Sequence, residues 1–213
     1  MTTDAHRPNL YELLRGELKT YDALIDVGCK GLYDLVDFES SPFKKLVGID
    51  KKFGTNAFGD YLRCKTRNKK LTPEEKRLYT IEVFKTFKER FEIYEIDFLI
   101  FDFKPDTYNL IICNKVLHFF QDEIKLTIIH NFFKSLQNGG LIYLKINHNH
   151  HPDNTDLVKV DKLSDNVYRS KRDLHIRYLV IADDFKTQLS KNYRLLTKYS
   201  KVDEKTLTIV IKK

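Results

Sequence analysis

Two short apolar runs, the first followed at once by a glycine turn, constrain this chain more than any other feature. Ala23–Val27 (ALIDV) is apolar except for Asp26, and Gly28-Cys29-Lys30-Gly31 comes directly after it. A short stretch ending in Ser40-Ser41-Pro42 leads to Leu46–Ile49, which closes on Asp50. Runs this short and this apolar fit buried strands. Strand, turn, short helix and strand make a βαβ unit. In an open sheet of such units, ligands bind outside the carboxyl ends of the strands.

The turn admits two readings. A dinucleotide fold uses G-x-G-x-x-G with pyrophosphate on the helix N-terminus. Here Gly28 and Gly31 are present, and Asp26 stands two residues before the first glycine. A carboxylate is awkward beside pyrophosphate and welcome beside a cation. The plain alternative is an ordinary glycine-containing βα turn.

Later segments extend the alternation. Pro8–Lys19 predicts an amphipathic helix, and about Tyr33–Phe38 a short one. From Lys51 to Pro73 the pattern dissolves into loop. Thr72-Pro73-Glu74-Glu75 then starts a helix that runs to about Arg90, with Leu78, Ile81, Phe84 and Phe87 at every third position. Phe91–Ile96 and Tyr108–Cys113 read as strands three and four, tipped by Asp97 and Asn114. Gln121 or Asp122 opens a helix that Asn138-Gly139-Gly140 stops, and Leu141–Ile146 is the fifth strand. Residues 147–182 are irregular apart from Leu174–Ala182. Asp183 or Asp184 caps a short helix, and Tyr193–Tyr199 with Thr206–Lys212 predicts a closing hairpin.

At these residues the chain resembles the class I S-adenosylmethionine-dependent methyltransferases, whose first motif is an apolar strand followed by acid-x-Gly-x-Gly-x-Gly. Asp26, Gly28 and Cys29 match; Lys30 and Leu32 stand where the second and third glycines fall. The resemblance implies an open, mostly parallel, doubly wound seven-stranded α/β sheet with a C-terminal antiparallel hairpin. It implies S-adenosylmethionine as cofactor, with Asp50 on the ribose, Asp97 and Phe98 on adenine, and Asn114 facing the methionine part. YNLIICNKVLHFF is similar to the family's fourth-strand motif. That places His118 at the mouth of the site, as a base or substrate contact.

The 213 residues, 42% hydrophobic and 31% charged, suit one globular domain over residues 1–213 with insertions at about 51–73 and 147–182. No eighteen-residue apolar run predicts a membrane span, and no membrane is expected as a partner. The N-terminus lacks a signal-peptide pattern, and Cys29, Cys64 and Cys113 have no metal or disulfide spacing. A cytoplasmic protein is expected. His148, His150 and His151 lack the carboxylate or thiol partners of a metal site, so no metal is expected.

Net charge is +7, and residues 59–90 carry ten Lys and Arg against five Asp and Glu. Arg63, Lys65, Arg67, Lys69 and Lys70 therefore suggest an acidic partner, with Phe58 and Tyr61 nearby for base stacking. Three functions follow. The first is methyl transfer to a small-molecule acceptor, favoured because Asn114-Lys115-Val116-Leu117 replaces the Asn-Pro-Pro-Tyr of enzymes that methylate base amines. The second is an RNA- or DNA-directed methyltransferase using the basic segment. The third is a non-catalytic member of the fold with an altered glycine turn.

Overall fold

A computed structural model describes residues 9–29, 32–51, 57–66, 69–148, 157–160, 166–171, 174–203 and 206–213. The chain forms two compact units, residues 1–101 and 102–213.

In the first unit, β1 (Ala23–Val27) is buried along its whole length and pairs in parallel with β2 (Lys45–Asp50). β2 pairs in parallel with β3 (Phe91–Glu95), setting Asp50 opposite Glu95. Gly48 in β2 has no room for a side chain: a Cβ there would lie 2.8 Å from the Cys29 sulfur and 2.9 Å from Ile93 Cδ1. Helix α1 (Leu10–Leu14) is shorter than the predicted Pro8–Lys19, because Gly16 follows it and favours leaving the helix. Asn9 caps α1 by accepting the Glu12 N–H, and the Leu10 N–H donates to the Asp37 carboxylate at 2.8 Å. Helix α2 (Tyr33–Val36) is a single turn.

The predicted loop after β2 holds a ten-residue helix, α3 (Ala57–Thr66). Its helicity comes from packing, since Tyr61 is fully buried with its ring 5.3 Å from Phe87 and 5.1 Å from Phe91. Helix α4 (Pro73–Arg90) starts as predicted, with Thr72 and Glu75 closing a capping box. Its apolar row does not form one face. A step of three residues falls short of a helical turn by about 60°, so Leu78 and Phe87 end on opposite sides. Val83 is the buried residue of α4, and Leu78, Ile81 and Phe84 are exposed. At its end, the Arg90 guanidinium donates to the carbonyls of Phe43, Glu39 and Ser41 at 2.6, 3.1 and 3.0 Å, clamping the loop before β2.

In the second unit, β4 (Tyr108–Asn114) pairs in parallel with β5 (Leu136–Asn147). Helix α5 (Asp122–Ser135) passes straight into β5, so Asn138-Gly139-Gly140 lies inside the strand rather than in a turn before it. The pairing absorbs the difference as a register shift between Tyr108 and Leu110, with Gly139 at φ +79°. The irregular region contains a small antiparallel sheet of β6 (Leu157–Lys159), β7 (Val167–Ser170) and β8 (Ile176–Tyr178). Helix α6 (Ala182–Ser190) follows.

The predicted strand over Tyr193–Tyr199 is broken. Within it β9 (Arg194–Leu195) is strand, and a separate β10 (Lys201–Val202) follows; both pair with the last strand, β11 (Thr206–Lys212), which also runs antiparallel to β5. The interruption is held by the Leu196 N–H donating to the Val210 carbonyl at 2.8 Å and the Val210 N–H donating to Ser200 Oγ at 3.2 Å.

Candidate functional site

The first unit places its candidate residues at the carboxyl ends of three neighbouring parallel strands. Asp26, 2% exposed, lies inside β1 opposite Gly48. Gly28 follows β1 at φ +75°, a conformation that costs glycine nothing, and its N–H donates to the Ile49 carbonyl at 2.8 Å. The Cys29 N–H reaches the same oxygen at 3.2 Å, so the turn is tied to the end of β2. Lys30 and Gly31 lie outside the described residues.

Leu32 resumes the chain in the left-handed region, at φ 53° and ψ 16°, with its side chain fully buried. A leucine thus holds a glycine-like conformation at the position matching the third glycine. Cys29 packs its thiol onto Gly48 and can offer a ligand only backbone. Burial first, and then the Asp26 and Asp50 carboxylates, push that thiol's pKa well above its usual value.

Asp50 is half-buried at the tip of β2, and its carbonyl accepts the Ile96 N–H at 2.9 Å. Asp97 sits just past β3. One of its carboxylate oxygens accepts the Leu99 N–H at 3.1 Å, and the other lies 3.2 Å from Lys51 Nζ. Asp97 is therefore already engaged by the residue following Asp50. Phe98 beside it is half-buried.

In the second unit, Asn114 ends β4 opposite Lys145. Lys115 turns the chain at φ 59°, donating its N–H to the Lys145 carbonyl at 2.7 Å. His118 lies in a 3-10 turn over Leu117–Phe119 and is 5% exposed, more enclosed than a residue at the mouth of a site. Its ring lies 4.3 Å from that of Phe119. The Arg177 guanidinium of β8 covers the Phe119 ring at 4.2 Å, and His175 meets that ring edge-on at 6.3 Å.

His148 is buried and donates from Nε2 to the Asp203 carbonyl at 2.7 Å, while His150 and His151 lie outside the described residues. Among the described residues no three His, Cys, Asp or Glu gather as a metal site.

The basic residues do not share one loop. Arg63 and Lys65 belong to α3, Lys69 and Lys70 precede α4, and Arg67 lies outside the described residues. Lys65 is ion-paired with Glu39, and Lys69 Nζ lies 3.9 Å above the Tyr79 ring. Burial removes Tyr61 as a stacking surface, and Phe58 packs against Phe84 and Phe87.

One arrangement escaped the sequence reading. A cavity of about 370 Å³ opens in the second unit between the start of α5 and the small sheet, lined by Gln121, Asp122, Glu123, Asn166, Tyr178 and Leu179 among others. Lys125, fully buried, donates to the Tyr178 carbonyl at 2.8 Å and to the Asp122 carboxylate at 2.5 Å. Burial lowers its pKa, and Asp122 opposes that shift. The signal was present: Lys125 stands three and four residues before Ile128 and Ile129, on the apolar face of α5.

No family model matches the sequence, and no curated protein sequence does either. Solved structures do. A putative S-adenosylmethionine-dependent methyltransferase from Listeria monocytogenes aligns with TM-score 0.59 and 13% identity over 96% of this chain and 98% of that one. A S-adenosylmethionine-dependent methyltransferase from Clostridium acetobutylicum aligns with TM-score 0.61 and 13% identity over 96% and 89%. The Burkholderia thailandensis 1,6-didemethyltoxoflavin-N1-methyltransferase, solved with 1,6-didemethyltoxoflavin and S-adenosylhomocysteine, gives 0.61 and 13% over 97% and 77%.

Proposed function

We propose that this chain, whose fold is that of the class I S-adenosylmethionine-dependent methyltransferases, binds S-adenosylmethionine and passes its methyl group to a small-molecule acceptor. The observation that carries the reading is the row at the carboxyl ends of β1, β2 and β3: the left-handed Gly28 turn, Asp50 and Asp97. These residues fit the cofactor's chemistry. The half-buried Asp50 carboxylate is a strong acceptor for two neighbouring ribose hydroxyls. Asp97 has one oxygen committed to Leu99, and the other becomes available to the adenine amino group when Lys51 swings away. That exchange is cheap, because an exposed ion pair is worth about 0.2–1 kcal/mol. Phe98 packs on the adenine ring, and Asn114 orients the methionine part.

When bound, S-adenosylmethionine supplies a methyl group activated on a sulfonium. The protein's contribution is alignment and exclusion of water, since an in-line displacement needs little else. His118 is the candidate to take a proton at an imidazole nitrogen when the acceptor must lose one.

A small acceptor is favoured over nucleic acid because Lys65 and Lys69 are held by Glu39 and Tyr79 rather than presented together. A second reading, a non-catalytic member of the fold, is favoured by the buried leucine at the third glycine position.

Calorimetric titration with S-adenosylmethionine and S-adenosylhomocysteine tests the proposal. Saturable binding is expected, weakened by about 1.5–3 kcal/mol in Asp50→Ala, the range for hydrogen bonds to a charged group. No binding by the unaltered protein refutes the proposal and puts the second reading in front.

A further inference from the structure

Apart from the Phe58 ring that meets Phe84 edge-on at 4.9 Å, the outward face of α4 is not explained by the fold or by the proposed reaction. At about 100° per residue, Leu78, Ile81, Phe84, Arg77, Lys85 and Lys88 fall within an arc of about 120°. That arc faces away from Val83, the buried residue of α4. Leu78 is 56% exposed, Ile81 60% and Phe84 44%. Arg77, Lys85 and Lys88 are exposed between them, and Lys88 Nζ lies 5.5 Å from the Phe84 ring centroid. Glu74, in the first turn, is the one acid in the arc. A solvated face needs no large apolar side chains, and a core-facing one would not carry three cations.

We infer that this face docks the protein onto an anionic lipid bilayer surface, with Leu78, Ile81 and Phe84 entering the headgroup boundary and Arg77, Lys85 and Lys88 meeting lipid phosphates and carboxylates. Surface binding draws on both kinds of group, apolar ones for burial and cations for attraction, and the long Lys and Arg stems let the charges reach lipid phosphates beside the apolar groups. Charge argues against a second copy of the chain, which would set three cations against three. Chemistry argues against single-stranded nucleic acid, because Leu78 and Ile81 have no π-face for a base to stack on. No helix among the described residues is long and apolar enough to cross a membrane. That bears on spanning and not on surface binding, so it does not support the sequence expectation of no membrane partner.

Vesicle flotation of the full chain tests this, using phosphatidylcholine alone and with about one-third phosphatidylserine. Binding is expected to the anionic vesicles only, falling as salt is raised. Lys85→Gln with Lys88→Gln should weaken it about 30-fold, from roughly 1 kcal/mol per cation near the surface. Leu78→Ser, Ile81→Ser and Phe84→Ser together should abolish it at every salt concentration. All the substituted residues are exposed, and an unchanged circular dichroism spectrum verifies that each variant is folded. Absence of vesicle binding overturns the inference, and so does binding that the apolar triple variant retains. Loss of RNA binding or of dimerisation in the triple variant, with no vesicle binding, overturns it in favour of nucleic acid or a second copy.

Discussion

Leu32 gives a prediction whose sign depends on the backbone of the glycine turn. Its side chain is fully buried, and its φ of 53° places it in the left-handed region. Deleting a buried leucine side chain costs about 2.7–5 kcal/mol, so Leu32→Ala and Leu32→Gly should both destabilise. Their difference carries the information. At an ordinary position alanine is ahead of glycine by about 0.8 kcal/mol for one buried methyl and by about 0.5–1 kcal/mol for the conformational entropy of the unfolded chain. At Leu32 the left-handed conformation penalises any residue with a Cβ by about 1–2 kcal/mol, and only glycine escapes it. The contributions nearly cancel, so the two variants should unfold within about 0.8 kcal/mol of each other in urea. Alanine ahead by more than about 1.3 kcal/mol, the least an ordinary position gives, would refute a left-handed Leu32. It would also remove the argument that the turn keeps the backbone of a glycine motif without its third glycine.

Further outcomes follow from neighbouring contacts. Lys51→Met removes the ion pair that engages Asp97, so calorimetry should show cofactor binding tightened by up to about fivefold, the most an exposed pair is worth; weaker binding would mean that Lys51 itself holds the ligand. Arg90→Ala strips three carbonyls of a charged donor and should cost roughly 2–4 kcal/mol in urea unfolding; a change below about 0.5 kcal/mol, as at an ordinary surface position, would deny the clamp. Cys29 and Cys113 are both buried, so peptide mapping after native alkylation should find neither labelled, and both labelled in urea. Because the native Cys29 thiol titrates above its usual 9.0, the unfolded chain releases that proton first. Stability from this group is complete below pH 9 and declines as pH rises above it. A Cys29→Ser variant should lose that part of the alkaline decline, and an unchanged profile would argue against the buried thiol.

Much of the frame was legible in the chain. β1, β2 and β4 are largely apolar runs, with Asp26 in β1 and Asn109 in β4 as interruptions, and strands buried this completely need no partner's identity to be recognised. The start of α4 was equally plain, since Thr72 and Glu75 satisfy each other locally. The order of Gly28, Asp50 and Asp97 along the chain also led to one edge of the β1–β2–β3 sheet, because every parallel strand presents its C-terminal residue at the same end.

What the sequence left open depends on contacts between distant residues. α3 carries Phe58, Tyr61 and Leu62 at helical spacing, but among glycine and basic residues that read as loop, and it is fixed by Tyr61 packing on Phe87 and Phe91. The strands β6, β7 and β8 are three or four residues long, too short for an alternation to register, and exist through their pairing. Asp97 looked available until Lys51 was seen to engage it, and His118 looked open until Phe119 and the burial around it closed the approach. The exposed face of α4 belongs with these. A row of apolar residues at every third position says that a helix will carry them, but which of them is covered is decided by tertiary packing, which buries Val83 and sets Phe84 and Phe87 against the Phe58 ring of α3 while leaving Leu78 and Ile81 to the outside.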